Sequence, residues 1–193
     1  VLLHEAIELL DIRSEDIVVD ATLGGAGHAR EIVRSLGPKG VFIGFDLDHD
    51  AIERAEIALA ASKPHVHLVE ANFRDLDREL GSRGIKKITK ALFDLGWSSY
   101  QLDSGRGFSF LRDEPLMMTY SKDPKALTAA TIVNDWAEGS LADVLFGWGE
   151  ERYARRIARK IVERRQTKPF TTSRELAEFI RSIVPWPYRY GRS

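Results

Sequence analysis

The feature that most limits how this chain folds is an alternation, through its first half, of short apolar runs with segments of helical period. Ile17-Val-Val-Asp20, Val41-Phe-Ile-Gly-Phe-Asp46, residues 66–70 and Ala91-Leu-Phe-Asp94 read as strands. Between them lie an amphipathic segment at 2–10, a helical segment at 28–35, a face made by Ile52, Ala55 and Leu59, and a short helix at 76–83. Strands this apolar, each followed by a helix, predict a parallel sheet covered on both faces. After Gly105 the pattern changes to helices and loops, with helical stretches near 126–134, 140–146, 150–165 and 172–183 and no strand. The expected organisation is therefore a sheet domain over 1–105 and a helical one over 106–193. Four strands leave a doubly wound sheet with an uncompleted edge, so further C-terminal sequence is expected.

The 193 residues suffice for one domain with an insertion and a real core. No apolar run approaches the roughly 20 residues that cross a bilayer, and the first residues lack the regions of a signal peptide, so no membrane association is expected. There is no cysteine, which excludes disulfides, thiolate zinc sites and cysteine nucleophiles and agrees with a cytoplasmic protein. The net charge of -1 conceals an asymmetry. Residues 1–105 carry 12 Lys/Arg against 18 Asp/Glu, whereas 106–193 carry 16 against 11, so the second half is the better candidate to meet a polyanion.

A glycine-rich turn, Asp20-Ala-Thr-Leu-Gly-Gly-Ala-Gly-His28, follows the first strand. It fails the dinucleotide fingerprint because Arg30 stands where a small residue is needed, and it lacks the Gly-Lys-Ser/Thr of a triphosphate loop. What remains is a turn whose glycines let a ligand lie against the backbone, beside the strand-end acid Asp20. Taken alone, the turn is equally compatible with a plain strand-to-helix connection. Asp46 ends the second strand, where a carboxylate can accept hydrogen bonds from both hydroxyls of a ribose, although a helix cap or a solvated acid is an equal reading for it and for Asp48. Phe73, after the third strand, can stack on a base or pack in the core. Asp94 ends the fourth. In an open parallel sheet, ligands bind beyond the carboxyl ends of the strands, so three acids and an aromatic at successive ends argue together for a nucleoside site.

These residues belong to longer motifs. The turn, Asp94-Leu-Gly-Trp-Ser-Ser-Tyr-Gln-Leu-Asp103, Arg106-Gly-Phe-Ser-Phe110 and Gly149-Glu-Glu-Arg-Tyr-Ala-Arg-Arg-Ile-Ala-Arg159 occur in an order that resembles the RsmH (MraW) family, over essentially the whole chain. That family methylates N4 of a cytidine in the decoding region of 16S, small-subunit ribosomal RNA, so the resemblance implies that RNA as partner and S-adenosyl-L-methionine as cofactor. It implies an α/β fold: a Rossmann-like class I methyltransferase sheet, incomplete here, with an inserted all-α domain. The cofactor contacts it implies are Ala26, Gly27, His28, Asp46, Phe73, Asp94 and Gln101. The sequence departs from the family at Ala26, where Gly is common, at Tyr100, where Pro is common, and across Leu116-Met-Met-Thr-Tyr-Ser-Lys-Asp123. An alanine at 26 permits the same close approach provided its φ is ordinary.

Methyl transfer is an in-line displacement that the protein assists mainly by alignment, and a base must be unstacked to receive it. No general base is singled out by residue type; a hydrogen bond from the reacting centre to Asp94 or a nearby carbonyl is one expectation. In the segment 150–165, Tyr153, Ile157 and Ile161 form an apolar stripe, while Arg152, Arg155, Arg156, Arg159, Lys160, Arg164 and Arg165 form a basic face that suits RNA phosphates or simply solvent. Trp97, Trp136, Trp148 and Trp186 read as core or rim packing before base stacking. Thr172-Ser-Arg-Glu175 reads as a capping box. His65 and His67 share a strand face, but nothing completes a metal site and none is expected. A non-catalytic RNA-binding or assembly protein, or a methyltransferase of DNA or a small molecule, remains as the alternative.

Overall fold

The computed structural model describes residues 2–185 and divides into two compact units, one of residues 1–100 with 120–122, the other of 101–119 with 123–193. The expected boundary after Gly105 falls a few residues inside the second unit. Trp186 lies outside the described residues.

The first unit runs α1 (Leu3–Leu10), β1 (Ile17–Asp20), α2 (Gly27–Ser35), β2 (Val41–Asp46), α3 (His49–Leu59), β3 (His65–Glu70), a 3-10 turn (Phe73–Asp75), α4 (Leu76–Ser82) and β4 (Lys90–Leu92). All pairings are parallel and the strand order is β3-β2-β1-β4. The chain thus builds outward from β1 through β2 to β3, then returns to the other side of β1, which makes the β1/β4 boundary the switch point of a doubly wound sheet. Successive strand residues face opposite sides. Val18 and Phe42 pack with Ala29, Ile32, Val33, Ile52 and Ala55 of α2 and α3. Val19, Ile43 and Phe45 pack with Val69 and Leu80 on the other face. Both faces are therefore dry, as a parallel sheet requires. β4 is shorter than expected: pairing stops at Leu92, and Phe93 and Asp94 continue beyond the sheet.

Gly44, in the middle of β2, sets how close the glycine turn comes. A Cβ there would stand 2.5 Å from Cδ2 of Leu23. Leu23 is 3% exposed, and its N–H donates to the Phe45 carbonyl at 3.1 Å. The missing side chain in the strand is what lets the turn lie down on the sheet.

α5 (Ser99–Leu102) links the units; the second contains α6 (Ala129–Asp135), α7 (Glu138–Gly147), α8 (Ala154–Arg165) and α9 (Ser173–Ile183). Among the described residues its only β contact is a single bridge between Pro115 and Thr172. Leu116, Val133, Leu141, Ile157, Ala158, Ile161 and Phe170 form its core, with Tyr153 and Trp136 packed partly against them. α8 begins later than the periodicity implies, because Glu150 has φ 50° and the Glu151 side chain accepts from the Tyr153 N–H, so a polar turn displaces the first helical residues. Thr172 caps α9 by accepting from the Glu175 N–H at 3.2 Å, and Glu175 returns a carboxylate oxygen to the Thr171 N–H at 3.0 Å.

Gly44→Ala is expected to lower stability by about 1–3 kcal/mol, the usual cost of overpacking a filled core. Chemical denaturation checks this, and an unchanged midpoint would contradict the packing described.

Candidate functional site at the carboxyl ends of the strands

The turn between β1 and α2 is held by side chains from the neighbouring strand ends. Asp46 Oδ2 accepts the Gly24 N–H at 2.9 Å, and Oδ1 accepts the Asp48 N–H at 2.9 Å. Asp48, 1% exposed, then caps α3 by accepting from the Asp50 N–H at 3.2 Å, so its role is a helix cap. On the other side of β1, the Thr22 hydroxyl accepts the Asp94 N–H at 2.8 Å, while Asp20 Oδ1 accepts the Thr22 N–H at 3.0 Å. Thr22 thereby joins the β1 and β4 ends across the switch point. Nothing in the residue pattern marked it for that part, since a threonine in a turn is unremarkable until its partner strand is known.

Ala26 is the N-cap of α2 and lies in the left-handed region, φ 59° and ψ 23°. The ordinary φ on which the close approach of this alanine was conditional is thus not the one it adopts. Left-handed geometry costs a non-glycine residue about 1–2 kcal/mol. The Ala26 methyl offsets part of this because it is fully buried among Leu23, Ala29 and Ile32. The turn therefore keeps the backbone course that a glycine would take, and its methyl points into the core. Gly27 and His28 open α2, where the first-turn N–H groups have no intrahelical partner. A Cβ on Gly27 would meet nothing within 4 Å, so the backbone there is open to a ligand.

Three buried polar atoms around this turn lack a protein partner: Asp20 Oδ2, His28 Nε2 and Arg54 Nε. Nδ1 of His28 lies 3.8 Å from Asp94 Oδ2. Three carboxylates, Asp20, Asp46 and Asp94, thus surround one turn. Burial pushes the Asp20 carboxyl up to about 6, with the charges of Asp46 and Asp94 adding to the effect and the Thr22 N–H opposing it. Burial also raises Asp46, against the hydrogen bonds from Asp48 and Gly24. A site that makes its own carboxylates this uncomfortable is matched to a cationic ligand.

Phe73 opens the 3-10 turn after β3, 39% exposed, and is held edge-to-face by Phe93 at 5.6 Å. Phe93 comes from the stretch just past β4 and is a further aromatic that the sequence reading did not single out. Tyr100 lays its ring on the turn: a Cβ on Gly25 would be 2.9 Å from its Cε2, and the Arg54 guanidinium lies over the same ring at 4.6 Å from its centre. Six of the seven expected contacts, Ala26, Gly27, His28, Asp46, Phe73 and Asp94, thus belong to the first unit. Gln101 belongs to the second, where it is 7% exposed and its carbonyl accepts from Ser104. Among the described residues no group of three metal-ligating side chains occurs, and His49 is occupied by Glu70 at 2.7 Å and Glu53 at 3.3 Å.

The chemistry fits S-adenosyl-L-methionine on the evidence of the unsatisfied atoms. Asp20 Oδ2 lacks the donor that an ammonium, or a water bridging to one, supplies, and the Asp46 carboxylate, with about four lone-pair sites, has acceptor capacity left for a ribose hydroxyl.

Because the folded-state value of Asp20 lies above the ordinary 3.8, the folded protein holds this proton where the unfolded chain does not. The contribution of Asp20 to stability is therefore greatest below about pH 4 and is lost as pH rises through 6, amounting to up to about 3 kcal/mol at about 1.4 kcal/mol for each pH unit between the two values. Asp20→Asn is expected to flatten this dependence, which thermal denaturation between pH 4 and 8 measures. An identical profile in both proteins would show that Asp20 is not the group responsible.

The MraW methylase family model matches residues 1–193. The ribosomal RNA small subunit methyltransferase H of Clostridioides difficile (strain 630) is 43% identical over 186 residues, covering 96% of this chain and 60% of that protein. The chain thus spans about 60% of the length of this curated relative. Among solved structures, a putative rRNA methylase from Clostridium thermocellum is similar at 24% identity and a TM-score of 0.44, over 49% of this chain and 50% of that one. With a family match across the whole sequence, the chain belongs to the MraW methylase family.

Proposed function

We propose that this protein binds S-adenosyl-L-methionine at the carboxyl ends of β1, β2 and β4 and takes part in methylating the N4 amino group of a cytidine in the decoding region of 16S ribosomal RNA, in the cytoplasm. The observation that carries the reading is the ring of three carboxylates around a glycine-rich turn, with Asp20 Oδ2 and His28 Nε2 buried and unsatisfied. Membership of the MraW methylase family and the 43% identity to a protein named as a small-subunit ribosomal RNA methyltransferase support the substrate.

In this reading the cofactor, when bound, supplies an electrophilic methyl on a positively charged sulfur. The chain's own residues bind and orient. Asp46 receives the ribose hydroxyls while keeping the turn in place, and Phe73 offers its exposed face to the adenine. Asp20 meets the ammonium directly or through water. The first-turn N–H groups at Gly27 and His28 suit the carboxylate. Asp94, beside the switch point, accepts a hydrogen bond near the reacting centre, and its carboxylate is steadied by His28. The helical unit over 106–193, with its excess of basic residues, recognises the RNA.

Incubation with labelled S-adenosyl-L-methionine and small ribosomal subunits that lack the modification is expected to place label on N4 of one cytidine. Replacing Asp94 by Asn is expected to reduce this at least tenfold, which is the loss of one charge-assisted contact at about 1.4 kcal/mol per decade. Label entering DNA, or none entering RNA, would contradict the proposal.

A further inference from the structure

The second unit carries a surface that its own packing leaves unexplained. α7 ends at Gly147 and α8 begins at Ala154, so a short connection joins two helices packed on one core. Leu141 and Leu145 of α7 face that core. Phe146 does not, at 69% exposed, and Trp148, the residue that ends the helix, is 88% exposed. The expectation that Trp148 packs in the core or rim is therefore overturned, whereas Trp136 is packed against the core.

The basic face of α8 is also smaller than its sequence implies. Arg164 pairs with Glu175 and lies over the Phe170 ring at 4.0 Å. Arg165 donates to the carbonyls of Val133 and Trp136 at 2.7 Å, closing the end of α6. These two cations hold the unit together. Lys160 pairs with Glu163 at 2.5 Å. Arg155, Arg156 and Arg159 are exposed and have no carboxylate partner among the described residues. Arg156, Arg159, Lys160 and Glu163 line a shallow recess of about 330 Å³ on the helix surface. Arg155 and Arg156 stand in the first turn of α8, where cations oppose the helix dipole, so helix stability does not account for them.

We infer that this end of the α7–α8 pair is a docking surface for single-stranded RNA, with Phe146 and Trp148 stacking on bases and Arg155, Arg156 and Arg159 neutralising phosphates. Exposed rings at the end of α7 and unpaired cations on α8, the helix that the short connection leads into, are together what unpaired nucleotides satisfy: the rings need splayed bases, and the guanidinium groups need the backbone charge. An RNA duplex keeps its bases stacked and meets only the cations. The inference rests on the proposed function for the class of partner and adds to it a contact that does no methyl-transfer chemistry.

Fluorescence anisotropy of a labelled single-stranded RNA of about 12 nucleotides, and of the same strand annealed to its complement, tests this on the whole chain. Trp148→Ala is expected to weaken binding of the single strand by about 5- to 100-fold, with Trp148→Phe retaining most of the affinity. Each of Arg155→Ala, Arg156→Ala and Arg159→Ala is expected to lower the slope of log K against log salt by about 0.7. The duplex is expected to be indifferent to residue 148. The melting temperature and the affinity for S-adenosylhomocysteine are expected to stay as in the parent in every variant. Single-strand binding insensitive to all four positions would overturn the docking surface, as would equal losses on duplex or displacement of the RNA by polyglutamate with the same dependence on Trp148. If RNA binds as described but S-adenosylhomocysteine does not, the surface stands and the methyltransferase reading fails. If S-adenosylhomocysteine binds and the single strand does not, the reverse holds.

Discussion

One carboxylate ties the site together. Asp46 ends β2 and spends an oxygen on the glycine turn through Gly24 and the other on the start of α3 through Asp48. Backbone N–H groups at a turn and at a helix start need partners, and a charge-assisted bond to each is stronger than a neutral one. The same residue is therefore an anchor for the two segments that bracket a ligand and a ligand acceptor in its own right. Leu23 on Gly44 does the apolar half of the same task, pressing the turn onto the sheet.

This arrangement is costly to the fold. Asp20, 1% exposed, is held beside Asp46 and Asp94, and Ala26 is held in a left-handed conformation. Neither stabilises the sheet. Both become intelligible if a ligand with a positive charge completes the turn, because the cation relieves the repulsion and the donors it carries satisfy Asp20 Oδ2. The surrounding core, built from Phe42, Phe45, Ile32 and Ile43 at 0% exposure, is what maintains the strained turn.

Much of this was legible in the residue pattern. β1, β2, β3, α2 and α3 declare themselves because apolar runs and the 3.6-residue period are local signals, and the acids at strand ends follow once the strands are known. Other features depend on contacts distant in sequence. Thr22 becomes a link only because β4 pairs with β1, and Arg165 becomes a structural residue only because Val133 and Trp136 end α6 beside it. The four-residue α5 is too short to show a period. The left-handed φ of Ala26 was signalled only by the family's preference for glycine at that position, since an alanine does not by itself indicate it. The exposure of Trp148 was hidden in the same way, because an indole beside a helix is more often packed than presented.

The most direct test of the central claim is calorimetric titration of S-adenosylhomocysteine into the protein and into Asp46→Ala. The account predicts one site per chain in the parent protein. In the variant it predicts a loss of affinity of at least tenfold, because the ribose acceptor and the tether of the turn disappear together. Equal affinity in both proteins, or no binding by a folded parent protein, would contradict it.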